Sequence, residues 1–355
     1  MSDSGTRKGE PTPLGAPAAF EGGLTEVAER TWAWLQPNGG LGESNAGLAV
    51  GEGESMLVDT LWDGRLTATM LEAIEPLVTA RGAPISRLVN THGDGDHWYG
   101  NGLLAPGVEI VATEAANEQM REEPPAMLTR LAPLGPIAAA AARVPLLPGR
   151  SGMRGIAAFN SALSNYEFKG LEPRRPDRPF SGSLELEVGG RRVELIEVGP
   201  AHTTGDAIVW LPDVRVVFAG DILFNGVAPI MWAGPVANWI AALERIEELR
   251  PDVVVGGHGP PGGIDEVRTM REHWTWLRDE VAASDGESPG ELAERLVRSP
   301  AWRDSAWAGW GYPERTLVNV ARIAATSGPD PEPLGTPARI RLIAEMGALA
   351  ERLAR

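Results

Sequence analysis

The chain has 355 residues, enough for one to two domains at roughly 150 residues each, and is 43% hydrophobic and 23% charged. Those proportions exclude a disordered chain and a membrane bundle. Lys+Arg 32 against Asp+Glu 48 leaves a net charge of −16, which repels a phosphate backbone, so no nucleic-acid partner is expected. No cysteine is present, which removes disulfides, thiolate metal sites and cysteine nucleophiles together. Any metal must be held by His, Asp or Glu.

Residues 1–20 are rich in Ser, Pro and Gly without an apolar stretch and read as a disordered lead with no signal peptide. From Leu24 to Thr60 three strands are expected in LTEVAERTWAWLQ, NAGLAV and SMLVDT, separated by Gly-rich breaks. Leu66, Met70, Leu71, Ile74 and Leu77 fall at helical spacing. Strands follow over Ile85–Asn90 and Val108–Ala112, and a helix starts at Thr113 with Glu114 in its first turn. Residues 124–170 change to Ala, Pro and Gly and read as a helical insert. Within it the most apolar stretch, Leu134 to Leu147, is interrupted by Pro136, Arg143 and Pro145, too short a run to span a membrane. A cytoplasmic protein with no membrane partner is the expectation.

Strands resume in SLELEV and RVELIEV around a Gly189–Gly190 turn, then in AIVWL and RVVFAG. Asn238 to Leu249 reads as a helix and PDVVVGG as a buried strand. Beyond Glu266 helices broken at Gly286, Pro289, Pro300 and Pro313 are expected. This order fits helices packed outside two facing sheets.

Only five histidines occur, and four of them, His92, His97, His202 and His258, lie in Gly- and Asp-rich loops after predicted strands, where a scaffold presents site residues. NTHGDGDHWYGN places His92, Asp94, Asp96 and His97 within one short loop, with Gly93 and Gly95 read as the residues that let the backbone turn. Four acceptors crowded together repel one another unless a cation lies among them. A solvated acidic turn is the competing reading. An EF-hand loop counted from Asp94 would need ligands where Trp98 and Ala105 stand. AHTTGD adds His202 and Asp206, FAGDILF places Asp221 at the end of a strand, and VVVGGHGP places His258 at the end of another. His273, in REHWTWL on a predicted helix, reads as structural.

With these pieces in order, the sequence resembles the metallo-β-lactamase superfamily, whose pattern of HxHxDH, a later His, a later GD and a final GH is met from His92 to His258. The resemblance implies an α/β fold, a four-layer αββα sandwich over residues 21–265, with the insert at about 124–170 and a C-terminal helical extension over 266–355. It also implies two metal sites. His92, Asp94 and His202 would hold the first metal, Asp96, His97 and His258 the second, and Asp221 would bridge them, while Asp59 would support the ligand loop from behind. One position departs from the pattern: Asp94 stands where the second His of HxHxDH is expected. Zinc, two ions, is the default, and the harder carboxylate at 94 favours Mn or Fe more than a histidine would.

Such a centre implies a metal-dependent hydrolase of a small-molecule ester, thioester, lactone or amide, in which a metal-activated water attacks the acyl carbon and Asp96 holds or relays its proton. Trp98, Met231 and Trp232 are expected near the substrate, and Met127, Leu128, Leu131, Met153, Phe159 and Tyr166 of the insert are expected to form a lid, which points to an apolar or aromatic substrate. WLQPNGG near the start and PERTLVNVARI in the extension resemble the metallo-β-lactamase-like cyclases and thioesterases of aromatic polyketide pathways. That likeness implies, as the alternative, an aldol cyclase on the same site. Trp and Leu residues in the C-terminal helices leave a homo-oligomer open.

Overall fold

The apolar run over Gly23–Leu35 breaks at Arg30, which takes a left-handed φ of 53°, and folds back as two strands, β1 (Gly23–Ala28) and β2 (Thr31–Leu35), instead of the single strand expected there. A computed structural model describes residues 20–37, 43–126, 134–144, 149–164, 166–172, 174–327 and 334–354. Nearly all of the N-terminal lead, and Met127, Leu128 and Leu131 of the insert, lie outside the described residues.

β3 (Ala46–Val50) and β4 (Ser55–Val58) complete an antiparallel meander. Asp63 then starts α1 (Gly64–Ala80) by accepting the N–H of Leu66 at 2.7 Å, and its other oxygen accepts the N–H of Glu167, tying the far end of the insert to this helix. Thr67, Met70, Ile74 and Val78 form the buried stripe that the helical spacing requires. β5 (Ile85–Val89), β6 (Glu109–Thr113) and β7 (Arg178–Phe180) extend the sheet in parallel to the seven-stranded order β1-β2-β3-β4-β5-β6-β7. β7 was not expected, because Arg-Pro-Phe carries no apolar alternation and joins only by lying beside β6. Thr113 caps α2 (Glu114–Glu122) through the N–H of Ala116. The insert holds α3 (Leu134–Ala141) and α4 (Arg150–Leu163) among its described residues.

The second sheet has the order β12-β11-β10-β9-β8. β8 (Ser183–Val188) and β9 (Arg191–Glu197) form the expected hairpin, β10 (Ala207–Leu211) follows, and β11 (Val216–Phe224) pairs in parallel with β12 (Val253–His258). Between the sheets Leu35, Met56, Val89 and Val111 meet Val188, Leu195, Val209 and Phe218. α1 covers the outside of the first sheet. α5 (Val236–Leu249) and α6 (Ile264–Ala282) cover the outside of the second. The result is the αββα sandwich.

Of the remaining helices, α7 (Pro289–Val297), α8 (Pro300–Arg303) and α9 (Thr316–Thr326) begin near the expected breaks, with Pro289 and Pro300 at first helical positions, whereas α10 (Thr336–Leu353) follows a break that was not expected. α7, α9 and α10 share one apolar core with β11, α5 and α6, in which Leu317, Ile323, Met346 and Leu349 pack with Trp239 and Trp274. α4 crosses α10 so closely that a Cβ on Gly347 would lie 2.2 Å from the Cα of Gly155, and Arg154 pairs with Glu351 at 2.8 Å. Insert and extension are thereby joined. No helix among the described residues is long and apolar enough to cross a membrane.

His273 is fully buried on α6, with the rings of Trp274, Trp276, Trp302, Trp307 and Trp310 centred 5.1–6.0 Å away and no hydrogen-bond partner for either nitrogen. Burial pushes its pKa down to about 3 from 6.5. The unfolded chain therefore takes up a proton below pH 6.5 that the folded chain refuses, and stability falls as the pH drops from 6.5 toward 3. Urea unfolding at pH 6.5 and 4.5 should show the wild type losing about 2 kcal/mol more than His273→Phe over that interval. Equal losses in the two proteins would place the acid sensitivity elsewhere.

Candidate metal centre

The parallel strands of both sheets end on one side of the sandwich. Asp59 follows β4, His92 to His97 follow β5, and His258 is the last residue of β12. His202 comes from the β9–β10 connection. Asp221 lies inside β11, not at its end as expected: pairing with β12 is interrupted on both sides of Gly220, whose φ is 50°. Gly257 makes room for it, since a Cβ there would stand 1.8 Å from Asp221 Oδ1. The backbone turns at Gly93 and at Gly95, where a short 3-10 helix begins, without a left-handed φ at either. They are small because a Cβ would strike the Gln119 side chain and the Tyr99 ring.

Hydrogen bonds fix the proton on the same nitrogen of all four imidazoles. The Thr91 hydroxyl donates to Asp59 Oδ2 at 2.7 Å, so it must accept from His92 Nδ1–H at 2.9 Å. His97 Nδ1–H donates to Asp59 Oδ2 at 2.9 Å, His202 Nδ1–H to the Ile230 carbonyl at 2.6 Å and His258 Nδ1–H to the Glu43 carbonyl at 3.0 Å. With each Nδ1 so occupied, every Nε2 is the position left for a metal ion or a second proton, and all four face Asp221. The Nε2 atoms of His97, His202 and His258 stand 3.2, 3.2 and 3.4 Å from its carboxylate and that of His92 stands 3.9 Å away. Asp94 Oδ2 is 3.2 Å from His202 Nε2, and Asp96 Oδ2 is 3.5 Å from His258 Nε2 and 3.8 Å from His97 Nε2.

Ligand atoms of three trios, His92/Asp94/His202, His92/His97/Asp221 and Asp96/His97/His258, each fall within 4.8 Å of one another. His92 Nε2, His97 Nε2 and Asp221 Oδ1 are buried with no hydrogen-bond partner. Burial and the neighbouring His97 push the His92 pKa well below 6.5, which keeps it a neutral donor. Burial opposes ionisation of Asp221 as well, but the charges of His258, His97 and His202 outweigh it and hold its carboxyl well below the ordinary range. His202 is pushed up to about 9, against its burial, by Asp221 and Asp94. Lone pairs converging on a buried anion need positive charge among them, from protons or from metal ions. The donor set, neutral imidazoles with carboxylates and second partners on every Nδ1, fits zinc or a harder divalent ion.

Of the residues expected near the substrate, Trp98 and Met231 are fully buried and cannot line a pocket. Trp98 braces the ligand loop by donating its indole N–H to the Gly93 carbonyl, and the Met231 N–H is held by Asn319 Oδ1 at 2.9 Å. Trp232 is only partly buried and carries the Arg339 guanidinium 4.5 Å above its ring. Asp206 is a support, accepting from Ala201 N–H and from both Thr203 donors beside His202. The residues that sequence reasoning missed are Thr91, Gln119 and Arg339. Gln119 donates to Asp94 Oδ1 at 2.8 Å, and Arg339 Nη2 stands 3.7 Å from the same oxygen. Distance along the chain hid Arg339.

Residues 39–258 match the family model of the metallo-β-lactamase superfamily. The chain belongs to this superfamily. Among the superfamily proteins it is similar to are a linear primary-alkylsulfatase of a Pseudomonas strain, 25% identical over 61% of this chain and 43% of that protein, and a hydroxyacylglutathione hydrolase of Brucella ovis, 34% identical over 22% and 30%. The chain thus spans less than half the length of each. Its fold is similar to that of a metallo-β-lactamase from Pontibacter korlensis, with a TM-score of 0.50 and 19% identity over 71% of this chain and 98% of that one.

Proposed function

We propose that this chain is a metal-dependent hydrolase acting on an acyl carbon of an apolar or aromatic small molecule. The observation that carries the reading is the convergence of four Nε2 atoms on Asp221, each imidazole held by a hydrogen bond at Nδ1. In this reading His92, Asp94 and His202 would hold one metal, Asp96, His97 and His258 the other, and Asp221 would serve both. Ions bound there supply Lewis acidity toward the substrate oxygen and bring the pKa of water near 7.

The chain's own groups do the rest. Burial raises the Asp96 carboxyl above its ordinary value, Asp221 and Asp94 add to that push, and the His97 and His258 charges oppose it. Asp96 is partly exposed, with 14% of its side chain accessible, and is suited to hold the proton released as water attacks. Partly buried Tyr166 and Phe168 pack with Trp62 on one flank, and the Tyr166 hydroxyl reaches Glu43, whose carbonyl orients His258. Trp232 lies under the Arg339 guanidinium, which reaches Asp94. These apolar surfaces favour an acyl group with a flat or bulky apolar part.

The test is the purified chain loaded with zinc or manganese and offered aryl esters, acyl thioesters, lactones, β-lactams and alkyl sulfates. Hydrolysis of an aryl ester or thioester is expected, with kcat/KM falling roughly 100-fold or more in His258→Ala. Hydrolysis that survives this substitution means the site is misassigned. Binding of less than one equivalent of any transition metal overturns the metal reading. Full metal loading without hydrolysis of any compound favours the aldol cyclase on the same site.

A further inference from the structure

Asp94 is the one position in the ligand loop that departs from the superfamily's histidine pattern, and the C-terminal helix reaches it. Arg339, in the first turn of α10, lies with its Nη2 3.7 Å from Asp94 Oδ1 while its Nη1 bonds both oxygens of Glu123 at 2.7 and 2.9 Å. Trp232 forms a floor under the guanidinium. Gln119 Nε2–H holds the same Oδ1 at 2.8 Å, so only Oδ2 faces His202 and the first trio.

A carboxylate differs from the imidazole it replaces in two ways that matter here. It carries a full negative charge next to Asp221 and Asp96, and it can swing to present either oxygen or both. Gln119 and Arg339 answer both problems: they occupy one oxygen and place a cation beside it. Glu123 and Trp232 in turn fix the guanidinium, which is thereby pre-set in a mostly buried place.

We infer that Arg339 is a positioning residue for the first metal, which presents Asp94 through a single oxygen and offsets its charge, so that the C-terminal extension is part of the metal centre. The inference rests on the reading of His92, Asp94 and His202 as a metal trio. It also explains why α10 is joined to the insert and to the site loop at once.

The test measures binding of Co(II) by chelator competition and by its visible spectrum, in wild type, Arg339→Gln, Arg339→Lys, Asp94→His and the double variant Asp94→His/Arg339→Gln. Expected is a loss of about 10- to 100-fold in affinity for one of two Co(II) equivalents in Arg339→Gln, with an altered spectrum. Arg339→Lys, which keeps the charge, should recover most of it. In the Asp94→His background, removing Arg339 should change affinity less than about threefold, because no carboxylate remains to be oriented. Unchanged Co(II) affinity in Arg339→Gln with a raised KM overturns the inference in favour of a substrate contact. An equal loss in the Asp94→His background overturns it in favour of general structural support. Should Arg339→Gln not fold, Arg339→Met with and without Asp94→His decides in its place: an equal loss in both backgrounds overturns the inference. A wild type that binds no Co(II) defeats the metal reading itself, whereas wild-type binding retained in the arginine variants defeats only the role of Arg339.

Discussion

Asp221→Asn is expected to lose both bound metal and roughly a thousandfold in kcat/KM, about 4 kcal/mol of transition-state stabilisation, while folding normally. The reason is its place among the imidazoles. Its carboxylate lies within 3.9 Å of four Nε2 atoms contributed by two separate loops and the end of β12. An amide has the same shape but no charge, and its N–H₂ can donate to one of the facing lone pairs. The metal-free variant therefore avoids a buried carboxylate whose ionisation needs neighbouring positive charge, and it should melt no lower than metal-free wild type. Metal content per chain, ester hydrolysis and melting in the presence of chelator separate these effects. Asp221→Asn with full metal content and undiminished hydrolysis would sink the proposal that this residue lies between two ions.

Asp59 carries the second large effect. It is buried with a left-handed φ of 62°, and it accepts three hydrogen bonds: Thr91 N–H at 2.8 Å, the Thr91 hydroxyl at 2.7 Å and His97 Nδ1–H at 2.9 Å. Through Thr91 it also sets the proton of His92. Asp59→Ala leaves those donors unpaired in a closed interior and should cost about 3–5 kcal/mol of stability. Asp59→Asn is the more informative change. Its amide keeps one accepting oxygen but turns an N–H toward Thr91 or His97, so one imidazole must adopt the other tautomer and lose its metal-facing lone pair. Metal affinity should fall about 10- to 100-fold, with a smaller loss of stability than in the alanine variant. Isothermal titration with zinc, paired with urea unfolding, checks both parts. Unaltered zinc affinity in Asp59→Asn would remove Asp59 from the support of the centre.

Much of the site was legible because its residues lie in short loops after strongly apolar strands, where few side chains other than His and Asp are present to confuse the pattern. His92 to His97 follow β5 directly, and His258 closes the VVVGGH strand. Asp221 was found, but its position inside β11 was not, since a strand continuing as ILF past the aspartate looks like a fresh run once Gly220 is read as a terminator. Trp98 and Met231 were drawn to the substrate by sequence proximity to the ligand loops. Adjacent residues in extended or turning backbone point in different directions, and both face the interior.

The sequence by itself determined the layered sandwich, the helical covers and the set of acids and imidazoles, because local periodicity and residue chemistry are written in neighbouring positions. Only the tertiary structure decided which nitrogen of each imidazole is free, that Gly257 yields its space to Asp221, and that Arg339 reaches Asp94 from the far end of the chain. Those outcomes depend on hydrogen bonds and contacts between segments separated by tens to hundreds of residues, whose approach is set by packing of whole sheets and helices and leaves no local pattern to read.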